Sequence, residues 1–195
     1  MAYDTRQITH GTQEVTYGLS GDGSGAVSYS TGVQKFTPSV DQNSKKIYAD
    51  AQTHMTLLNA KTLTIDQDNL QYTPDEMTQM GYLASSTGFT DNGKYPKFSV
   101  QRILDVQDDE GAVTKKLEVY YGVTSGAYTE SDDEDEDEIN PKVYSRTLNV
   151  DGFDFGEGVV KQFIITRTTE NATIFDTYKT KILKPEDFKS VPSAG

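Results

Sequence analysis

The chain has 195 residues, the size of one domain, with 18 Lys+Arg against 30 Asp+Glu and a net charge of -12. The absence of Cys excludes disulfides, thiolate metal sites and cysteine nucleophiles, and an acidic balance argues against a dedicated nucleic-acid-binding role. Apolar residues make up 34%, with no run near the roughly 18 needed to span a bilayer, so a thin core and no membrane span are expected.

Thr, Val, Tyr, Ile and Phe far outnumber Leu, Ala and Met, a skew toward side chains that suit a pleated surface. Residues 1 to 10 are polar and read as an N-terminal arm, and Met1 to Arg6 lacks the basic start and apolar stretch of a secretory signal. Synthesis in a cytoplasm, without export, is the corresponding expectation. Val15, Tyr17 and Leu19 alternate with polar residues, as in a half-buried strand. Gly18 to Gly25 holds four glycines and reads as a flexible loop. Val33 to Val40 and Lys45 to Asp50 read as strands around a turn at Asp41, Gln42, Asn43 and Ser44, and Gln52 to Ile65 as a further extended stretch.

One helix is well signalled. Thr73 is placed as N-cap, Pro74 at the first helical position and Glu76 to complete a capping box, with Tyr72 and Met77 at the staple positions. Met77, Met80 and Leu83 recur at spacings of three, and Gly81 can end the helix. Beyond it, Phe98, Val100 and Leu104 mark a strand in which Arg102 interrupts the apolar face. Leu117, Val119, Tyr121 and Val123 mark its partner, with Asp108 to Gly111 as the connection. Asp132, Asp133, Glu134, Asp135, Glu136, Asp137 and Glu138 are seven consecutive acids, expected as a solvated loop tip within an insertion at 124 to 142. Val143 to Val150 is the next strand, and Val159 to Thr168 with Thr173 to Lys181 read as a last pair turning at Thr169 to Ala172. Eight to ten strands and one short helix give a mainly β fold, a β-sandwich or partly open barrel with extended arms.

No enzymatic constellation can be assembled. His10 and His54 stand apart without a motif, and no nucleophile elbow, phosphate loop, zinc-protease helix or dinucleotide fingerprint occurs. The acidic run lacks the ligand spacing and turn glycine of a calcium loop. Asn171-Ala172-Thr173 matches a glycosylation acceptor, but a chain without a signal does not meet that enzyme. Neither an enzyme nor a cofactor or metal site is expected, which leaves a binding or structural protein.

Tyr48-Ala49-Asp50, Pro74-Asp75-Glu76-Met77 with Gly81-Tyr82, Pro96 to Arg102, Leu117 to Val123 and Thr147 to Val150 form an ordered set of short motifs. Over Val33 to about Phe153 this set resembles the major tail protein, or tail-tube protein, of bacteriophages with long non-contractile tails. The Gly-rich segment and the acidic insertion depart from the family pattern, and the immunoglobulin-like domain that the family often carries after the core is not expected. The resemblance implies a single tail-tube domain whose strands join those of its neighbours, six copies to a ring, with stacked rings forming a tube in the virion tail. It implies contacts with other copies and with tape-measure, terminator and distal tail proteins, and DNA in transit without specific binding. An acidic wall suits such passage, because it repels phosphate, with dissolved ions screening the repulsion beyond about 8 Å at physiological salt. Self-assembly is then expected to use the N-terminal arm, the Gly-rich loop, the turn at Asp41 to Ser44 and a C-terminal tail over 184 to 195. The alternative is a soluble β-sandwich adhesion module recognising carbohydrate through exposed tyrosines such as Tyr95 or Tyr128, a reading that the absence of Trp weakens.

Overall fold

Strand-favouring side chains on short, turn-punctuated segments give an antiparallel protein. A computed structural model describes residues 8–30, 32–42, 44–49, 52–58, 61–108, 110–130 and 142–189. In chain order the elements are β1 (Ile8–Gly18), β2 (Val27–Ser30), β3 (Val33–Asp41), β4 (Ser44–Ala49), β5 (Gln52–Leu58) and β6 (Thr62–Asn69). The helix α1 (Pro74–Gln79) precedes β7 (Tyr82–Ser85), β8 (Gly88–Asp91), β9 (Phe98–Gln107), β10 (Val113–Glu130) and β11 (Tyr144–Val150). The short strands β12 (Phe153–Asp154), β13 (Val159–Val160) and β14 (Gln162–Thr166) lead into α2 (Ala172–Phe175) and 3-10 turns at Asp176–Lys179 and Pro185–Phe188.

One large sheet runs β2-β1-β9-β10-β11-β6-β3, and all its ladders are antiparallel. β10 is its axis. One edge of β10 pairs with β9; the other pairs first with β14, over Lys116 to Tyr120, and then with β11, over Val123 to Glu130. Side chains from six strands meet in one cluster: Val15 and Tyr17, Phe36, Leu63 and Ile65, Phe98 and Val100, Tyr120 and Val123, Leu148 and Val150. A flat sheet cannot bring β1 and β3 to a common core, so this sheet is rolled around it. On its other face Ile103, Leu117, Val119 and Tyr121 pack under Phe175, Tyr178, Ile182 and Leu183 from the C-terminal segment.

The two clusters are separated by a change of phase in β10. Leu117, Val119 and Tyr121 face the second cluster, whereas Tyr120 and Val123 face the first. Strict alternation puts Val123 with Tyr121, as expected above. The ladder with β9 instead skips between Tyr120 and Val123, and the extra residue turns Val123 inward. Gly122 occupies this bulge with φ +59, and a Cβ there would lie 2.1 Å from the Gly152 carbonyl oxygen. Its N–H donates to Gly21 O at 2.8 Å, its carbonyl accepts from Asp151 N at 3.2 Å, and Gly152 N donates to Tyr121 O at 3.0 Å.

Several local expectations need correction. The Gly-rich loop is packed: Gly21 and Gly23 are buried, and a Cβ on Gly18 would lie 2.5 Å from Ile182 Cγ1. Its glycines therefore allow close approach of the C-terminal segment. Asp41 to Ser44 is not a hairpin turn, because β3 pairs with β6 and β4 pairs with β5. The α1 helix starts and stops as expected, with Met80 as C-cap and Gly81 at φ +88 just beyond it, but Leu83 lies exposed in β7 and is no part of the helix. Thr173 to Lys181 is not a strand: α2 and the 3-10 turn carry it to Lys179. Thr168 and Asn171 bond each other's backbone N–H groups, and Phe175, Tyr178 and Ile182 recur at helical spacing to cover the sheet. Neither proposed arm is wholly free: Ile8 to His10 pair with Gln107 to Asp105, and Phe188 packs on the second cluster. β10 runs on to Glu130, opposite Tyr144, so the acidic connection spans 131–143; Asp132 to Glu138 lie outside the described residues.

Gly122→Ala is expected to destabilise the fold by at least about 2 kcal/mol, from left-handed backbone strain compounded by the Gly152 clash. Chemical denaturation of the two proteins checks this.

Candidate functional site

The capping box that starts α1 also builds the most buried polar cluster of the protein's described residues. Glu76 N donates to Thr73 Oγ1 at 3.3 Å, and Thr73 N donates to Glu76 Oε2 at 2.8 Å. The other carboxylate oxygen, Oε1, points into the sheet, where it accepts from Ser30 Oγ at 2.7 Å and Asn69 Nδ2 at 3.0 Å. Arg146 of β11 lies 3.6 Å away, and both side chains are fully buried. Its guanidinium donates to Gln67 Oε1 at 3.1 Å, Gln79 Oε1 at 3.3 Å and the Tyr17 hydroxyl at 3.0 Å. It also lies over the rings of Tyr17 and Tyr72, at 5.4 and 5.0 Å. Gln67 Nε2 donates to Tyr17 Oη at 2.6 Å and to Asn69 Oδ1 at 2.9 Å.

This arrangement clamps the helix to β1, β6 and β11. The charges are spent on each other and on fixed dipoles, the condition under which a buried ion pair is tolerable. Burial pushes the Tyr17 hydroxyl up to about 12, against the pull of Arg146. A smaller pair explains the interrupted face of β9: Arg102 donates to Glu118 Oε2 from Nε at 2.9 Å and Nη2 at 2.7 Å, and to Phe36 O at 2.8 Å. Burial works to raise the Glu118 pKa, but the Arg102 bonds and charge, with the Tyr120 hydroxyl and Lys116, outweigh it and lower it. Gln101 ties down the C-terminal segment, donating to Tyr178 O at 2.6 Å and accepting from Leu183 N at 3.3 Å.

The expected assembly residues are dispersed. Asp41 and Gln42 are exposed at the end of β3, Ser44 opens β4, and Asn43 lies outside the described residues. Beyond Asn43 the same two chain segments pair as β4 with β5, in a two-stranded sheet of their own. At about 3.3 Å per residue this hairpin is roughly 20 Å long, and a lone two-stranded hairpin is marginal in water. β3, the edge of the large sheet, also has β6 as its only partner strand among the described residues. His10 and His54 lie in β1 and β5, in separate sheets. Asn171 is buried, donating to Thr166 O at 2.9 Å, so its side chain is spent on the fold. Tyr128 packs against Tyr72, Tyr82 and Tyr144 with centroids 5.9 to 6.3 Å apart and rings tilted or edge-on, while Tyr95 is exposed.

Among the described residues, no three His, Cys, Asp or Glu cluster to hold a metal, and no helix is long and apolar enough to cross a membrane. The chain matches no protein-family model and no curated protein. Sequence reasoning missed the Glu76–Arg146 contact, since its halves lie 70 positions apart. The lone Arg146 in an otherwise strand-like segment was the available signal.

Glu76→Gln keeps an acceptor for the cap but leaves Arg146 without its carboxylate; Glu76→Ala removes both. Losses of about 3–5 kcal/mol are expected for Glu76→Ala, with Glu76→Gln losing less, measured by urea unfolding. Alkaline stability is a separate expectation. Because the folded pKa of Tyr17 is raised to about 12, its contribution is fully present below pH 10 and is lost as pH rises toward 12. The effect is on the order of 2–3 kcal/mol. Tyrosinate absorbance and circular dichroism, followed together over that range, should show Tyr17 ionising only as the fold is lost.

Proposed function

We propose that the protein is a self-assembling structural subunit of the phage tail-tube kind, forming stacked rings around a channel that passes DNA. The observation that carries this reading is the β4–β5 hairpin, which among the described residues pairs only with itself, while the body has two cores of its own. A neighbouring copy can supply a further sheet edge to such a hairpin. β3, with β6 as its only partner strand among the described residues, invites the same kind of contact. Head-to-tail joining of unlike surfaces closes into rings where the rotation permits and continues as a filament where it does not. The motifs over Val33 to Phe153 support the same reading, and the acidic charge suits a wall that DNA passes without adhering.

Carbohydrate recognition draws less support, because Tyr128 spends its ring on Tyr72, Tyr82 and Tyr144 instead of presenting a free face. Electron microscopy of the purified protein tests the proposal. Rings or tubes are expected from the full chain, and a folded monomer with no tubes when 44–58 is replaced by a short Gly-Ser linker. Tubes formed without the hairpin, or a full chain that stays monomeric at every concentration, would contradict it.

A further inference from the structure

The start of β10, the end of β14 and the 3-10 turn Asp176–Lys179 converge around a cleft of about 490 Å³, whose walls include Val113, Lys115, Arg167, Asp176, Tyr178 and Lys179. In a chain of net charge -12, these walls carry three cations against one anion. Asp176 is already answered: Arg167 donates to its Oδ1 from Nε at 2.9 Å and to its Oδ2 from Nη2 at 2.8 Å. That leaves Nη1 for another acceptor and the ammonium groups of Lys115 and Lys179 as surplus charge. Arg167, then Lys115 and Lys179, hold the Asp176 carboxyl below its ordinary value, so all three cations act on the same place. Two further acids stand close by, and neither lines the cleft. Glu14 accepts from the Tyr178 hydroxyl, and Asp105 is opposite Lys115 in the β9–β10 ladder.

The backbones that carry these cations are fixed. Arg167 N donates to Lys115 O at 2.8 Å, Thr114 Oγ1 to Arg167 O at 3.1 Å, and Tyr29 Oη to Lys179 O at 2.9 Å. The fold thus brings like charges together from segments far apart in sequence, and a bound anion offsets their repulsion. A monocarboxylate offsets only one charge. A phosphate dianion matches the surplus of two, with oxygens enough for both ammonium groups and for Arg167 Nη1. Small-molecule sites occupy about 300–1,000 Å³, so the cleft has room for more than a bare phosphate, with Val113 and the Tyr178 ring as apolar wall. We propose that this cleft binds the phosphate group of a small anion through Lys115, Lys179 and Arg167. The inference does not depend on the assembly reading above.

Equilibrium dialysis of the full chain against radiolabelled inorganic phosphate, at an ionic strength fixed with sodium chloride, tests this whether or not the protein assembles. Saturable binding of a single phosphate per chain is expected. Lys115→Gln and Lys179→Gln should each weaken it about fivefold or more. Lys94→Gln, which removes the same charge from another exposed position, should leave it unchanged. Lys179 is itself exposed, so its variant keeps the fold intact for the test, and circular dichroism checks this. Phenyl phosphate competing for the label separates the sources. Displacement at a lower concentration than unlabelled phosphate assigns an organic phosphate, and equal or weaker displacement assigns the free ion; either supports the site. Binding that does not saturate, that survives Lys179→Gln unchanged, or that Lys94→Gln weakens equally overturns it.

Discussion

The architecture turns on a backbone contact at Gly122. There the chain of β10 passes close enough to Gly152 that no side chain fits between them, and the bulge reverses which face of the strand looks inward. Because of that reversal, one strand serves two cores. Its first half presents Leu117, Val119 and Tyr121 to the C-terminal cover, and Val123 beyond the bulge helps fill the interior of the rolled sheet. Without it, Val123 points out of the interior and β11, β6 and β3 lose their common core. The thin apolar complement of the chain is sufficient only because β9 and β10 bury both faces.

The second organising element is electrostatic. Glu76 closes its own helix cap with one carboxylate oxygen and reaches the sheet with the other. Arg146 receives it between two tyrosine rings. A six-residue helix has little stability of its own, so its position comes from this clamp. The clamp leaves Gln79 Nε2 as its one unmet donor among the described buried side chains.

Much of this was legible where the signal is local. Thr73, Pro74 and Glu76 announce the helix start because a capping box is contained in four residues, and Asp108 to Gly111 announces the β9–β10 hairpin for the same reason. The C-terminal segment was misread because Thr173, Ile174, Phe175 and Tyr178 favour strands by type, whereas the spacing of Phe175, Tyr178 and Ile182 follows a helix. At Asp41 to Ser44 a polar cluster mimics a turn, but the described residues on either side belong to two ladders, β3 with β6 and β4 with β5. Glycine in a strand signals a bulge, so Gly122 carried a hint; the partner that makes it indispensable, Gly152, is set only by tertiary structure. The Glu76–Arg146 contact is likewise a product of the rolled sheet.

The functional account depends on the β4–β5 hairpin gaining partners only from other copies. Amide hydrogen exchange over Ser44 to Leu58, followed in dilute protein and again under assembling conditions, tests this most directly. The account predicts rapid exchange in dilute protein and strong protection on assembly, with β9 and β10 protected in both. Equal protection of the hairpin at all concentrations would contradict it.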